Sequence, residues 1–275
     1  MRSLRWLRGP DISIDAEIKS IQDNMSRSST EKSSLKELLN IRYLKPLLIS
    51  LGLMLFQQLS GINAVIFYTV SIFEHAGSSM NSNLSTVIIG VVNILSTFVA
   101  NILIDRLGRK VLLLISTVFM FLSLISLGTY FYLKEVLSNE DKTGEWKEIV
   151  NDLGWLPLVS LMTYVVAFSL GWGPLPWLFV GEGLPNKVRG PGGSLVTVCN
   201  WTCGFLVTKT FPGMVSQLGA FGVFFMFACI MFLALLFTIF IFPETKGKSL
   251  EEIEEILTGK NKQNRNNSSR ILKSK

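Results

Sequence analysis

Apolar residues run through this chain in long blocks that charged residues interrupt only at intervals. Between Lys45 and Glu74 lie 28 residues without Asp, Glu, Lys or Arg, and between Glu74 and Asp105 lie 30. Residues 111–133 form a 23-residue run, 29 residues separate Asp152 from Glu182, 19 separate Arg189 from Lys209, and 34 separate Lys209 from Glu244. A helix needs about 20 apolar residues to cross a bilayer. None of these windows alternates with period two, so helix is preferred over strand, and a helix satisfies its own backbone groups inside lipid. The pattern predicts an all-α membrane protein with a bundle of six transmembrane helices near 46–71, 85–104, 111–133, 155–181, 191–211 and 221–242, the longest window holding a loop plus one span.

The polar pieces between and around these spans are short. Residues 1–45 read as a cytoplasmic loop in which Asp11 or Ser13 caps an amphipathic helix carrying Ile14, Ile18, Ile21 and Met25 on one face. Ser34 to Glu37 and Ser249 to Glu252 each fit a capping box, in which a serine and a glutamate three residues later bond each other's backbone amides. The second box would open a short helix with Ile253, Ile256 and Leu257 as its apolar residues, within a cytoplasmic segment 243–275 whose basic end, 260–275, is too polar to pack. The loop 134–154 mixes charges and faces outward.

Composition agrees with a membrane reading. Only 17% of residues are charged, against roughly a quarter in soluble domains. The net charge of +6 would suit a nucleic-acid partner, but its distribution points elsewhere. Of 26 Lys and Arg residues, 22 fall in 1–46, 105–110, 182–189 and 243–275, all on one side of the predicted spans. The positive-inside rule makes that side, and with it both termini, cytoplasmic. The partners expected are therefore a lipid bilayer and a small solute, with no nucleic acid. Cys199, Cys203 and Cys229 lie in apolar stretches and His75 is the sole histidine, so no disulfide framework and no metal site are expected. No catalytic motif stands out, so neither enzyme activity nor a cofactor is expected. Asn83-Leu-Ser85 is a glycosylation sequon close to a span; Asn200-Trp-Thr202 is one by letters only.

Polar side chains inside the spans carry the candidate chemistry, because an amide or hydroxyl in lipid is costly unless it is paired or faces a cavity. The first span holds Gln57, Gln58, Ser60, Asn63, Tyr68 and Thr69, with Gln57, Gly61 and Tyr68 within one helical stripe. Asn93 and the Asn200-Trp201 pair repeat the theme. Two readings stand: glue between helices, or a cavity for a neutral hydroxyl-rich solute, which amides suit because each both donates and accepts. Pro174 and Pro176, with Gly173, must break the fourth span, and Trp172 and Trp177 offer flat faces for a sugar ring. The alternative is an ordinary kink with aromatics against lipid. Asp105 and Arg109 are spaced as an i, i+4 pair, and with Arg106, Glu182, Arg189 and Glu244 they form either a charge network that breaks and re-forms or simple topology determinants.

Together these segments resemble the sugar porters of the major facilitator superfamily. The resemblance rests on Gln57 to Ala64, Asp105 to Arg109, Gly173 to Trp177, Glu182 with Pro185 to Gly190, Asn200-Trp201, and Pro243 to Gly247, in the order of that family's second half. Phe168 to Gly171 and Thr208 to Thr210 are most similar to the insect trehalose-transporting branch. The resemblance implies a facilitated trehalose or hexose transporter of the plasma membrane working by alternating access. It implies that Gln57, Gln58, Asn63, Asn93, Trp177 and Asn200 bind sugar, and that Asp105, Arg106, Arg109, Glu182, Arg189 and Glu244 form the inner gating network. Ser169 stands where many glucose-transporting relatives have a glutamate, which fits a trehalose-type branch. The family has twelve spans, so six spans read as the C-terminal half of a twelve-helix major facilitator fold. Its expected partner is the missing N-terminal six-helix half or a second copy of the chain. The competing expectation is a truncated, non-transporting fragment or a membrane interaction partner.

Overall fold

The computed structural model describes residues 38, 40–76, 82–137, 145–185 and 187–258, and among them every regular element is helical. The amphipathic helix expected around residues 14–25, the capping box at 34–37 and the basic tail 260–275 lie outside the described residues, as do residues 138–144 of the connecting loop. The elements are α1 (Ile41–Leu59), α2 (Ile62–Phe67), α3 (Thr69–Ala76), α4 (Ser82–Leu107), α5 (Arg109–Tyr132) running into a π-helical turn (Leu133–Leu137), α6 (Glu145–Asp152), α7 (Leu156–Leu170), α8 (Leu175–Gly183), α9 (Arg189–Phe240) and α10 (Leu250–Thr258). Five stretches are long and apolar enough to cross a membrane: Ile41–Phe67, Asn83–Ile104, Arg109–Val136, Leu156–Gly183 and Arg189–Phe240.

Two spans differ from the periodic pattern, each for a local reason. The first starts at Ile41, where the Asn40 side chain accepts from the Arg42 amide, and reaches Ala76 as three helices. Gly61, at φ +88°, ends α1, so Gln57 and Tyr68 do not share one continuous helical stripe as the spacing suggested. The break is sealed by side chains: Ser60 Oγ donates to the Gln57 carbonyl at 2.7 Å, and the buried Tyr164 hydroxyl donates to the Ser60 carbonyl at 3.0 Å.

The second difference is α9, where helix occupies most of the loop expected at 212–220. A single residue, Gly219 (φ 74°, ψ 162°), is non-helical within 52. The chain doubles back there. Phe211 and Phe227 would sit about 24 Å apart along a straight helix at 1.5 Å per residue, yet their rings stack with centroids 6.4 Å apart. A Cβ on Gly219 would come within 2.7 Å of the Glu135 carboxylate. That carboxylate, carried by the π-helical turn, accepts from the Ala220 amide at 3.1 and 3.3 Å and so caps the second arm of α9.

The core lies where α5 packs between α9 and α7, with α1 against α9. Phe131 stacks on Phe224 at 5.5 Å, and Phe56 packs on Phe237 at 5.2 Å. Helix α4 sits at the edge, against α7 and α3, and leaves Val87, Val91, Ile94, Leu95, Phe98 and Ile102 exposed. At the end of the chain, Ser249 and Glu252 exchange the reciprocal bonds of a capping box at 2.9 and 3.2 Å, opening α10, whose Ile253 and Leu257 are buried. Ile256 on the same helix is exposed.

The break between α7 and α8, at residues 171–174, explains why the bundle holds a buried glutamine. Pro176 has no N–H, so the Trp172 carbonyl loses the donor that a helix would supply from four residues on. Gln57 Nε2 supplies it instead, 2.7 Å from Trp172 O and 3.1 Å from Gly173 O. Trp172 itself is fully buried, donates from Nε1 to Thr117 Oγ1 at 2.8 Å and meets the Phe56 ring edge-on. It is a core residue, which corrects the expectation that it offers a face to a sugar. Replacing Gln57 by Leu strands these carbonyls, at a cost of about 1–3 kcal/mol for each buried unsatisfied group. The thermal midpoint of the detergent-solubilised Gln57→Leu chain is expected to fall clearly. Ser194→Ala, whose hydroxyl bonds only Gly190 O at an exposed position, should leave it unchanged. Equal midpoints for the two variants would refute the account.

Candidate functional site

From Gln57 a single file of amides runs through the bundle. Gln57 sits on α1, Gln58 beside it, Asn63 on α2 and Asn200 on the first arm of α9. Asn63 Nδ2 donates to Gln58 Oε1 at 2.6 Å, Gln58 Nε2 donates to Asn200 Oδ1 at 3.0 Å, and Asn200 Nδ2 donates to Gln57 Oε1 at 2.8 Å. Gln57 Nε2 then closes the file on the carbonyls of Trp172 and Gly173. A carbonyl can only accept, so Gln57 must turn its NH2 toward the break and its oxygen toward Asn200. That choice forces the orientation of every amide behind it. Amides polarised head to tail strengthen one another in a low dielectric.

The two ends of this file differ chemically. Gln57 (3% exposed) and Asn200 (1%) are buried, and both Gln57 donor hydrogens are used inside the protein. Asn63 is only partly buried. Gly204 faces it and is itself buried: a Cβ there would lie 2.9 Å from Asn63 Nδ2 and 3.0 Å from Gln58 Oε1, so the missing side chain lets the first arm of α9 pack directly on these amides. Such an end can bind hydroxyls, since Asn63 Oδ1 accepts and amide hydrogens donate.

The remaining predicted sugar contacts stand apart from this file. Asn93 Oδ1 on α4 lies 2.7 Å from Ser169 Oγ on α7, and that hydroxyl also lies 2.8 Å from the Val165 carbonyl. Its single hydrogen serves one acceptor at a time. Trp177, on α8, is 40% exposed and presents an open ring.

At one end of the bundle the charged residues gather. Arg109 Nη2 meets Glu182 Oε1 at 3.0 Å, and the Thr245 hydroxyl donates to Glu182 Oε2 at 3.4 Å. Arg109 Nε is buried without a hydrogen-bond partner among the described residues. Arg189 is placed differently from expectation: its Nε donates to the Leu184 carbonyl at 3.1 Å, tying together the loop between α8 and α9. Glu244 works through backbone, accepting from the amides of Arg109 and Lys110 at 3.1 Å each and so capping α5. Gly108 (φ 94°, ψ 154°) interrupts the helix before Arg109, so Asp105 and Arg109 are not an i, i+4 pair on one helix. The Asp105 side chain lies outside the description, and Arg106 is exposed. Among the described residues no cluster of His, Cys, Asp or Glu could hold a metal ion.

Sequence reading missed Thr245, Gly204 and Glu135. Glu135 has a polar residue's signal at the edge of a span, but its partner amide lies 85 residues away. Gly204 has no signal beyond being a glycine four residues after Asn200.

The family model described as "Sugar (and other) transporter" matches residues 1–257. The facilitated trehalose transporter Tret1 of Bombyx mori is 52% identical over 266 residues, 96% of this chain and 51% of that protein. Tret1 of Apis mellifera ligustica is 49% identical over 94% of this chain and 50% of that protein. Among solved structures, the major facilitator proton:xylose symporter XylE bound to 6-bromo-6-deoxy-D-glucose superposes with a TM-score of 0.72 at 29% identity, over 92% of this chain and 50% of that one. The inward-open XylE from E. coli gives 0.65 at 29% identity, over 92% and 48%. The chain thus spans about half the length of these relatives. Its apolar helices, broken at proline and glycine around a buried file of amides, agree with the family match over nearly its whole length: the chain belongs to the sugar (and other) transporter family, the sugar porters of the major facilitator superfamily.

Proposed function

We propose that the chain is the C-terminal six-helix half of a twelve-helix plasma-membrane transporter that carries trehalose or a hexose by alternating access. The amide file carries this reading. Its buried end is held by the helix break, while Asn63 at its other end is only partly buried. In this reading the two arms of α9 are separate spans, which makes six. Support comes from the reversal at Gly219 and from a helix length of about 78 Å at 1.5 Å per residue, far beyond a hydrocarbon core of about 30 Å. Asn63, with Gln58 directly behind it, then faces the sugar with Asn93 and Trp177 at the rim, and the buried Gln57 and Asn200 hold the file in place. The Arg109–Glu182 end is the cytoplasmic one, with both termini beside it. Its partial pairing, with a buried Arg109 Nε unmatched, suits a network that changes partners as the two halves rock.

A second reading has its own support. Trp201, Phe205 and Val198 on the first arm of α9 are each at least 60% exposed, and the chain covers half the length of its relatives. By itself it would then be a non-transporting fragment, or would need the other half or a second copy to cover that face. Uptake of labelled trehalose and glucose in oocytes, comparing this chain with a form joined to an N-terminal six-helix half, separates the two. Uptake by the joined form alone supports the half-transporter reading, and no uptake by either form sinks it.

In the joined form, Asn63→Ala should lower sugar affinity by up to about tenfold, since a lost hydrogen bond to a hydroxyl is worth up to about 1.4 kcal/mol, with little loss of surface expression; Gln58→Ala should lower affinity too, with some loss of expression because it strands the buried Asn200 oxygen. Unchanged uptake kinetics in both variants would remove the amides from the sugar path. Arg109→Ala should slow turnover more than it weakens binding, read as a fall in maximal uptake at nearly constant half-saturation. A change confined to half-saturation would argue against a gating role.

A further inference from the structure

Beyond the amide file, at the opposite end of the bundle from Arg109, lies a cavity of about 460 Å³. That volume falls within the range of small-molecule sites, about 300–1,000 Å³. Its walls are α3, both arms of α9 and the end of α5 with its π-helical turn; α3 follows α2, which carries Asn63, and the first arm of α9 carries Asn200. The register between the walls is regular: Asn63 lies by Gly204, the Tyr68 hydroxyl donates to the Thr208 carbonyl at 3.4 Å, and the Tyr68 ring stacks on Phe211 at 5.2 Å. The Tyr68–Phe211 pair lies between the amides and the cavity. Ser71 and His75 line the wall on α3, Ser216 lines the wall on α9, and the Glu135 carboxylate lies beside them.

His75 is chemically specified. Its Nδ1 lies 2.8 Å from the Ser71 carbonyl oxygen, which can only accept, so Nδ1 carries the hydrogen. That leaves Nε2 as the ring nitrogen that can meet a ligand. An aromatic pair, two hydroxyl-bearing side chains, an imidazole nitrogen and a carboxylate suit a ring with apolar faces and hydroxylated edges. A lipid chain suits them poorly, because it would strip water from the imidazole and the carboxylate without replacing a hydrogen bond.

We infer that this cavity is a second saccharide station, distinct from the amide file, where a sugar ring rests on the Tyr68–Phe211 pair with a hydroxyl hydrogen-bonded to His75 Nε2 before it descends to Asn63. The inference rests on the sugar-transport reading above and adds to it a site on the outer side.

Site-directed thiol protection tests it on the full chain in phosphatidylcholine vesicles. Cys199, Cys203 and Cys229 are changed to Ser, Ser216→Cys is introduced, and its labelling by a charged, membrane-impermeant maleimide is timed with and without trehalose or glucose. At a sugar concentration twice the dissociation constant, about a third of sites remain open and labelling slows about threefold. The same slowing should persist when Gln58→Ala is added. It should vanish with His75→Phe, whose labelling rate without sugar stays that of the parent. Protection that requires an intact Gln58 would show that sugar in the amide file shields Ser216 indirectly, which overturns a separate station. No protection, or equal protection by mannitol, which has the hydroxyls but no ring, overturns it as well. Binding here needs no transport. A chain that shows protection without uptake therefore keeps the station and loses the transporter reading, whereas Gln58-dependent uptake without protection loses the station alone.

Discussion

The bundle is organised around one unmatched carbonyl. Pro176 removes the donor that Trp172 O would otherwise find in its own helix, and in an apolar setting a stranded carbonyl is expensive. Gln57 answers it from α1, and doing so commits the rest of the buried polar groups. With both its hydrogens facing the break, its oxygen must face α9, where Asn200 meets it, and Gln58 and Asn63 follow in one orientation. A defect in one helix thereby sets the polarity of a hydrogen-bond file that crosses three elements. The file is also what joins α1, the α7–α8 break and the first arm of α9 at a common depth.

The charged end uses a different economy. There the side chains are partly wet, so ion pairs alone contribute little, and backbone capping accounts for more of the order. Glu244 places both oxygens on the amides that open α5, Arg189 holds a loop carbonyl, and Arg109 and Glu182 pair directly. The arrangement ties the ends of α5, α8 and α9 together while leaving the guanidinium of Arg109 incompletely satisfied.

Much of this was legible from sequence, for identifiable reasons. Charge-free windows marked the spans because a charge at bilayer depth is costly wherever it falls. Pro174 and Pro176 announced their break because proline's effect is local. Gly61 and Gly219 did not announce theirs. Each shares a long apolar window with other glycines, Gly52 in one case and Gly213 and Gly222 in the other, and whether it bends the chain depends on what packs opposite it. Trp172 and Trp177 look alike in sequence, five residues apart on either side of the prolines, yet one donates to Thr117 in the core and the other faces outward. The amides were visible as polar residues in the wrong solvent, but their order in the file was not, because Gln58 and Asn200 are separated by 142 positions.

Two helix starts are built alike: a glycine at positive φ, then a carboxylate from elsewhere in the chain on the first amides, Gly108 with Glu244 and Gly219 with Glu135. In each case a Cβ on the glycine would crowd the acid, at 3.1 and 2.7 Å. The two differ in time. Glu135 precedes Ala220, so the second arm of α9 finds its cap already waiting when it leaves the ribosome. Glu244 follows Arg109 by 135 residues, so α5 must be inserted with its first turn open to water and is sealed only when the last span is complete. Synthesis from the N-terminus thus gives the bundle a built-in final step: the residue that ends the last span is the one that closes the start of the third.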